Sequence, residues 1–198
     1  MKIRIVIAAT AMFFLTGHPL FADKITETIH QIEEAYKDKD YKGALDELEY
    51  LKADLQKLKR AEDLTLLPEP IEGWQRHLSE DESAGLAALL GGGSAPTTIG
   101  AEYTKGSDTV TIEIMANSPM ISILSMMIGN PAMMSSKPGT EPYRYKRNKG
   151  MKKVENGTIE ITLLIAGQII LTVKGNSESA VETYLKRVDI SRLKSALL

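Results

Sequence analysis

The 198-residue chain contains no cysteine. Disulfides, thiolate nucleophiles and thiolate metal sites are therefore excluded, and the fold must hold by packing alone. Phenylalanine is nearly as scarce. All three (Phe13, Phe14, Phe21) fall within the first 21 residues. Any core beyond them is built from Ile, Leu, Val, Met, Tyr and the single Trp74. Histidine numbers three, of which His30 and His77 lie outside the first 22 residues. No HExxH, CxxC or Gly-x-Ser-x-Gly pattern occurs. The Gly91-Gly92-Gly93-Ser94 loop lacks the Lys-Ser/Thr ending with which a P-loop holds phosphate and metal. This inventory implies no cofactor or metal and argues against an enzyme. The first candidate for a hydrolase would be His77, close in sequence to Glu80, Asp81 and Glu82. The alternative for that cluster is a solvated polar turn.

Long hydrophobic runs are also few. Residues 5–15 form one, preceded by Lys2 and Arg4 and followed by Gly17 and Pro19, which are expected to break a helix there. Leu20-Phe21-Ala22 then offers a small residue before Asp23. This is the order of a cleavable secretory signal. Eleven helical residues cover only ~16 Å, about half of a ~30 Å hydrocarbon core, so a retained anchor is not expected. The reading is an exported chain cut near Ala22, with the periplasm the first destination and the extracellular space the second.

What remains after such a cut carries 22 basic and 26 acidic residues, net −4. Residues 23–82 hold nine basic and 17 acidic residues, net −8, and residues 83–198 hold 13 and nine, net +4. The strongly basic balance of a nucleic-acid binder is missing.

Apolar residues at Ile25, Ile29, Ile32 and Tyr36 recur at helical spacing. Tyr41, Ala44, Leu45, Leu48, Leu51, Leu55 and Leu58 repeat the pattern after the polar turn at residues 37–40. Two amphipathic helices joined this tightly predict an antiparallel hairpin over 23–65. Pro68 and Pro70 end it, and residues 66–97 read as linker, with a weak helix at 79–90. From residue 98 onward, alternation and turn residues predict strands near 98–104, 109–116, 141–148, 150–155, 158–165 and 168–174. Ser118-Pro119 opens a helix running to about Ile128. The continuous apolar runs Leu163-Leu164-Ile165 and Ile169-Ile170-Leu171 predict central strands covered on both faces. A helix over 178–188 and a short last one follow. The expected class is α+β: a helical hairpin, then a mainly antiparallel sheet covered by helices.

Ala35-Tyr36, Asp40-Tyr41 and Ala44-Leu45 make the hairpin similar to a single tetratricopeptide-type unit, present in one copy where an array needs about three. The stretch Leu67-Pro68-Glu69-Pro70…Gly73-Trp74 resembles one in a family of small exported bacterial proteins of unknown function. Ala166-Gly167-Gln168…Thr172-Val173-Lys174-Gly175…Val188-Asp189-Ile190 carries the same likeness, which implies no particular activity. The order of elements is also similar to that of the small sheet-and-helix domains of photosystem II extrinsic subunits, an analogy of fold alone.

Two surface candidates stand out. Beyond residue 22 every methionine falls between 115 and 151. Met120, Met126, Met127, Met133 and Met134 are candidates for a ligand or partner surface. Met also fills irregular cores, and a thioether copper site is a third option. Arg144, Lys146, Arg147, Lys149, Lys152 and Lys153 crowd ten residues, with Tyr143 just before them and Tyr145 among them. They form either an anion-binding patch, for instance for anionic lipid, or a charged strand that resists edge pairing. The leading expectation is a non-enzymatic binding or adaptor protein acting on another envelope protein. A carrier of an apolar ligand or lipid on the Met-rich helix comes second, and a His77 hydrolase third.

Overall fold

The structure, a computed structural model, describes residues 18–79, 97–118, 120–130, 134 and 138–198. The basic and apolar parts of the expected signal, most of the expected helix at 79–90 and the 91–94 loop lie outside the described residues. The chain divides into two compact units, Met1–Leu58 and Lys59–Leu198.

The first unit holds α1 (His18–Lys37) and most of α2 (Tyr41–Leu64). Pro19, where a break is expected from the sequence, falls within α1. Asp40 starts α2 by accepting from Gly43 N–H through its carboxylate at 3.0 Å. The two helices run antiparallel: Lys24, early in α1, reaches Asp54, far along α2, at 2.7 Å. Lys24 and Lys57 hold the Asp54 carboxyl below the usual range. Few of the described residues are buried in this unit, Thr28, Ala44 and Asp54 among them.

The second unit is built on a seven-stranded antiparallel sheet, formed by β1 (Gln75–Leu78), β2 (Thr97–Lys105), β3 (Asp108–Ala116), β4 (Thr140–Tyr145), β5 (Asn148–Glu155), β6 (Thr158–Ile165) and β7 (Ile169–Gly175). The strand order is β1-β2-β3-β7-β6-β5-β4, so β7 and β6 are central, as their apolar runs require. Among the described residues three helices accompany the sheet: α3 (Met120–Gly129), α4 (Glu178–Arg187) and α5 (Ile190–Leu197). Ser118 begins α3, its Oγ accepting from Met120 N–H at 3.3 Å, and Asp189 caps α5 through Ser191 and Arg192 N–H. The α+β class and the sequence of hairpin and antiparallel sheet expected above are those observed.

Two details differ from expectation. The segment expected to be linker contributes the edge strand β1, which pairs His77 with Glu102 across to β2. The β4–β5 turn falls at Lys146-Arg147, inside the strand expected near 141–148. Both turn residues have positive φ, +44° and +66°.

Strand alternation sorts the sheet into two faces. One carries Ile99, Ala101, Tyr103, Ile112, Ile114, Ile161, Leu163, Leu171 and Val173, all essentially buried under Val181, Tyr184 and Leu185 of α4 and Leu193 of α5. The other face carries Thr111, Glu113, Glu160, Thr172 and Lys174, interrupted by Met115, Met151, Leu164 and Ile170. Helix α3 lies on this second face.

Candidate functional site

The interruptions of the second face converge. Met115, Met151 and Ile170 from the sheet and Met120, Ile123 and Leu124 from α3 line a groove of about 250 Å³. Thr162 and Thr172 add hydroxyls to its floor, and Glu113 and Glu160 stand at its polar side. Thioethers suit such a space because they are flexible and polarizable and adapt to an irregular apolar guest.

The five methionines singled out in the sequence do not form one surface. Met120 and Met126 are exposed, at 59% and 71%, and Met127 is half-buried. Met134 is buried at 2% and belongs to the interior, which takes it off the candidate surface. Met133 lies outside the described residues. Met115 and Met151, which face the groove from the sheet, carry its floor instead. Their signal was legible: each is an apolar residue in phase with the polar side of its strand.

The basic segment also divides. Lys152 is ion-paired to Glu178, whose hydrogen bond holds the ammonium above its usual range, with Glu141 further off at 3.9 Å. Lys153 is paired with Glu155 and raised by it. Arg144, Lys146, Arg147 and Lys149 are all exposed and have no carboxylate partner among the described residues. They gather at the β4–β5 turn, where Arg144 and Lys149 sit directly opposite each other. Asn148 braces the turn, its side-chain amide donating to the Tyr145 and Lys146 carbonyls at 3.2 and 3.0 Å.

His77 is exposed on β1 and His30 is exposed on α1. Glu80, Asp81 and Glu82 lie outside the described residues. Among the described residues no group of three or more His, Asp or Glu gathers in a way that could hold a metal ion.

The stretch from Leu66 to Trp74 works as a strap over the core. Leu66 and Leu67 are buried, and the Pro68 carbonyl accepts from the Tyr103 hydroxyl at 2.7 Å and from Arg76 at 3.3 Å. Ile71 N–H donates to the Tyr184 hydroxyl at 3.4 Å, and Trp74 meets the Tyr184 ring edge-on at 5.1 Å. A second, more open concavity of about 590 Å³ beside this strap contains Arg76, Arg187 and Arg192. Two of these are engaged: Arg76 with Pro68 and Glu69, Arg192 with the carbonyl and hydroxyl of Thr65.

The hairpin holds a candidate that the sequence shows only in part. Its helical stripe is legible, but most of the stripe is not buried, Ala44 being the exception. Tyr41, Leu45, Leu48 and Leu55 of α2 are 45–63% exposed, and Ile29 and Tyr36 of α1 are 43% and 67% exposed. Tyr36 and Tyr41 meet edge-on at 6.2 Å across the turn.

No family model matches the chain, and neither a curated protein nor a solved structure is significantly similar to it. Among the described residues no helix is long and apolar enough to cross a membrane.

Proposed function

We propose that the chain is an exported, non-enzymatic adaptor whose helical hairpin holds another envelope protein by an amphipathic helix of that partner. One observation carries this reading: Tyr41, Leu45, Leu48 and Leu55 form a seam at helical spacing that the fold leaves open. Large apolar side chains gathered on a surface mark interaction sites. In a tetratricopeptide-type array such faces are covered by the next helical unit, and an incoming helix would take that place here. Asp46 and Glu47 flank the seam, while Glu49 is paired with Lys52 at 3.6 Å, so the partner helix should carry basic residues opposite the first two.

The test compares cross-linked complexes of the full chain and its Leu45→Gln/Leu48→Gln variant, expressed in cells and recovered from the envelope. A defined partner captured by the first and lost from the second supports the reading. Identical complexes, or none from either, would end it. Cell fractionation with N-terminal sequencing tests export separately. The expected product begins near Asp23; a chain retained in the cytoplasm with its first 22 residues intact would refute export.

The groove supports a second reading, that of a carrier for an apolar ligand. Its volume lies just under the ~300–1,000 Å³ usual for small-molecule sites, which suits one unbranched chain better than a bulky ligand. Native mass spectrometry of freshly purified protein would show the co-purifying chain. A clean apo mass, with no uptake of added fatty acid, would dispose of it.

A further inference from the structure

The second face of the sheet is zoned along its strands. The row at the β4–β5 turn runs Arg144, Lys149, Leu164, Ile170, Met115 and Thr98 across six strands. Four residues along each strand, the row reads Thr140, Lys153, Glu160, Lys174, Thr111 and Glu102, with both signs of charge mixed. The turn end is thus apolar in the middle and cationic at one side, and the far end is polar and balanced.

Helix α3 begins at the turn end of this face, just after Ala116, and sends Met120, Ile123 and Met126 outward at 59%, 68% and 71% exposure. A helix that needed only to cover the sheet would be polar on that side. Beside it stand the four cations that lack a carboxylate partner among the described residues, one of them, Lys146, lying over the Tyr145 ring at 5.3 Å from its centroid. The fold gathers them against two local preferences. Arg144 and Lys149 are like charges directly opposite on paired strands, an unfavourable arrangement. Lys146 and Arg147 occupy left-handed backbone that a two-residue turn ordinarily gives to Asn-Gly. Lys152 and Lys153, by contrast, are neutralised by neighbours and take no part.

We infer that this end of the sheet is a docking surface for a bilayer containing anionic lipid. Met120, Ile123 and Met126 enter the boundary between headgroups and chains, and Arg144, Lys146, Arg147 and Lys149 neutralise lipid phosphates beside them. Exposed apolar side chains flanked by uncompensated cations are the pairing that interfacial binding uses. A soluble polyanion would have no use for the apolar ridge. The surface shares no residue with the hairpin seam, so this inference stands or falls independently of the adaptor reading; it shares Met120 and Ile123 with the rim of the groove.

The experiment is flotation of the full chain with phosphatidylcholine vesicles prepared with and without phosphatidylglycerol. Binding is expected only where phosphatidylglycerol is present, and it should fall as salt is raised. The Lys146→Asn/Arg147→Gly variant keeps or improves the turn while removing two charges, so it should bind roughly 30-fold more weakly. The Ile123→Asn/Met126→Asn variant changes only exposed positions of α3 and should lose flotation. Residues 5–15 are common to every variant, so binding through them would appear as no change in either one, which overturns the inference. Equal binding to pure phosphatidylcholine, or no binding at all, also overturns it. If the α3 variant still floats while the turn variant does not, the site takes polyanions rather than a membrane, and the inference fails.

Discussion

Tyr103 has its ring sealed in the core and its hydroxyl tied to the Pro68 carbonyl. Burial pushes its ionisation up from 10.0 to about 12. A folded value above the unfolded one means that the stabilisation is complete below pH 10 and is lost as pH rises towards 12. Two units correspond to about 3 kcal/mol at most. Urea titrations of the Tyr103→Phe variant should therefore show a shallower loss of stability than the wild type across that window. Tyr184 is shifted the same way by burial, so some slope remains. At neutral pH the same variant should cost about 1 kcal/mol, the usual net worth of one hydrogen bond. A second residue-scale prediction concerns the β4–β5 turn. Left-handed backbone costs an ordinary residue roughly 1–2 kcal/mol. Lys146→Asn/Arg147→Gly should accordingly raise stability by about 1–2 kcal/mol, read as a higher denaturation midpoint with an unchanged slope. This turn was illegible in the sequence for the same reason: neither residue is one that signals positive φ. By contrast, Asn156-Gly157 and Ala166-Gly167 were legible because glycine marks the turn.

Among the elements, legibility followed burial pattern. Strands β2, β3, β6 and β7 alternate or run apolar because they flank the core, and their bounds were readable to within about two residues. Strand β1 was not, because its Gln75-Arg76-His77-Leu78 is short, polar and exposed at three of four positions. Only its pairing with β2 makes it a strand. The α3 groove was half legible, since Met115, Met151 and Ile170 stand out as apolar residues on a polar face, whereas their convergence depends on where α3 lies. The helices differ most in what their apolar residues do. Leu193 of α5 is fully buried and Leu48 of α2 is 45% exposed, although both sit in amphipathic stripes. Leu193→Ala should destabilise the protein by about 2–5 kcal/mol, through lost burial and a residual cavity. Leu48→Gln should change stability by less than about 0.5 kcal/mol in the same assay. A large loss in the second case would mean that the seam is packed rather than open.

At the scale of the whole molecule, the two compact units differ in how their structure is held. The sheet unit closes a continuous apolar core on strands and helices drawn from distant parts of the chain. The hairpin relies on local helix and a narrow interface around Thr28, Ala44 and Asp54. Local opening is easiest where few apolar contacts must be broken. Amide hydrogens of α1 and the first half of α2 should therefore exchange well before those of β3, β6 and β7, in separate phases. Equal protection throughout would contradict that division. The order of pairing has a further bearing on synthesis. Strand β3 has no neighbour on its second edge until β7 has been made, and the core face of both stays bare until α4 and α5 follow. Until those helices are made, a nascent chain of this topology has its principal strands open to chaperones as well as to each other. Closure of the core is thereby deferred until α4 and α5 have been made, although the strands that need it precede them in the chain.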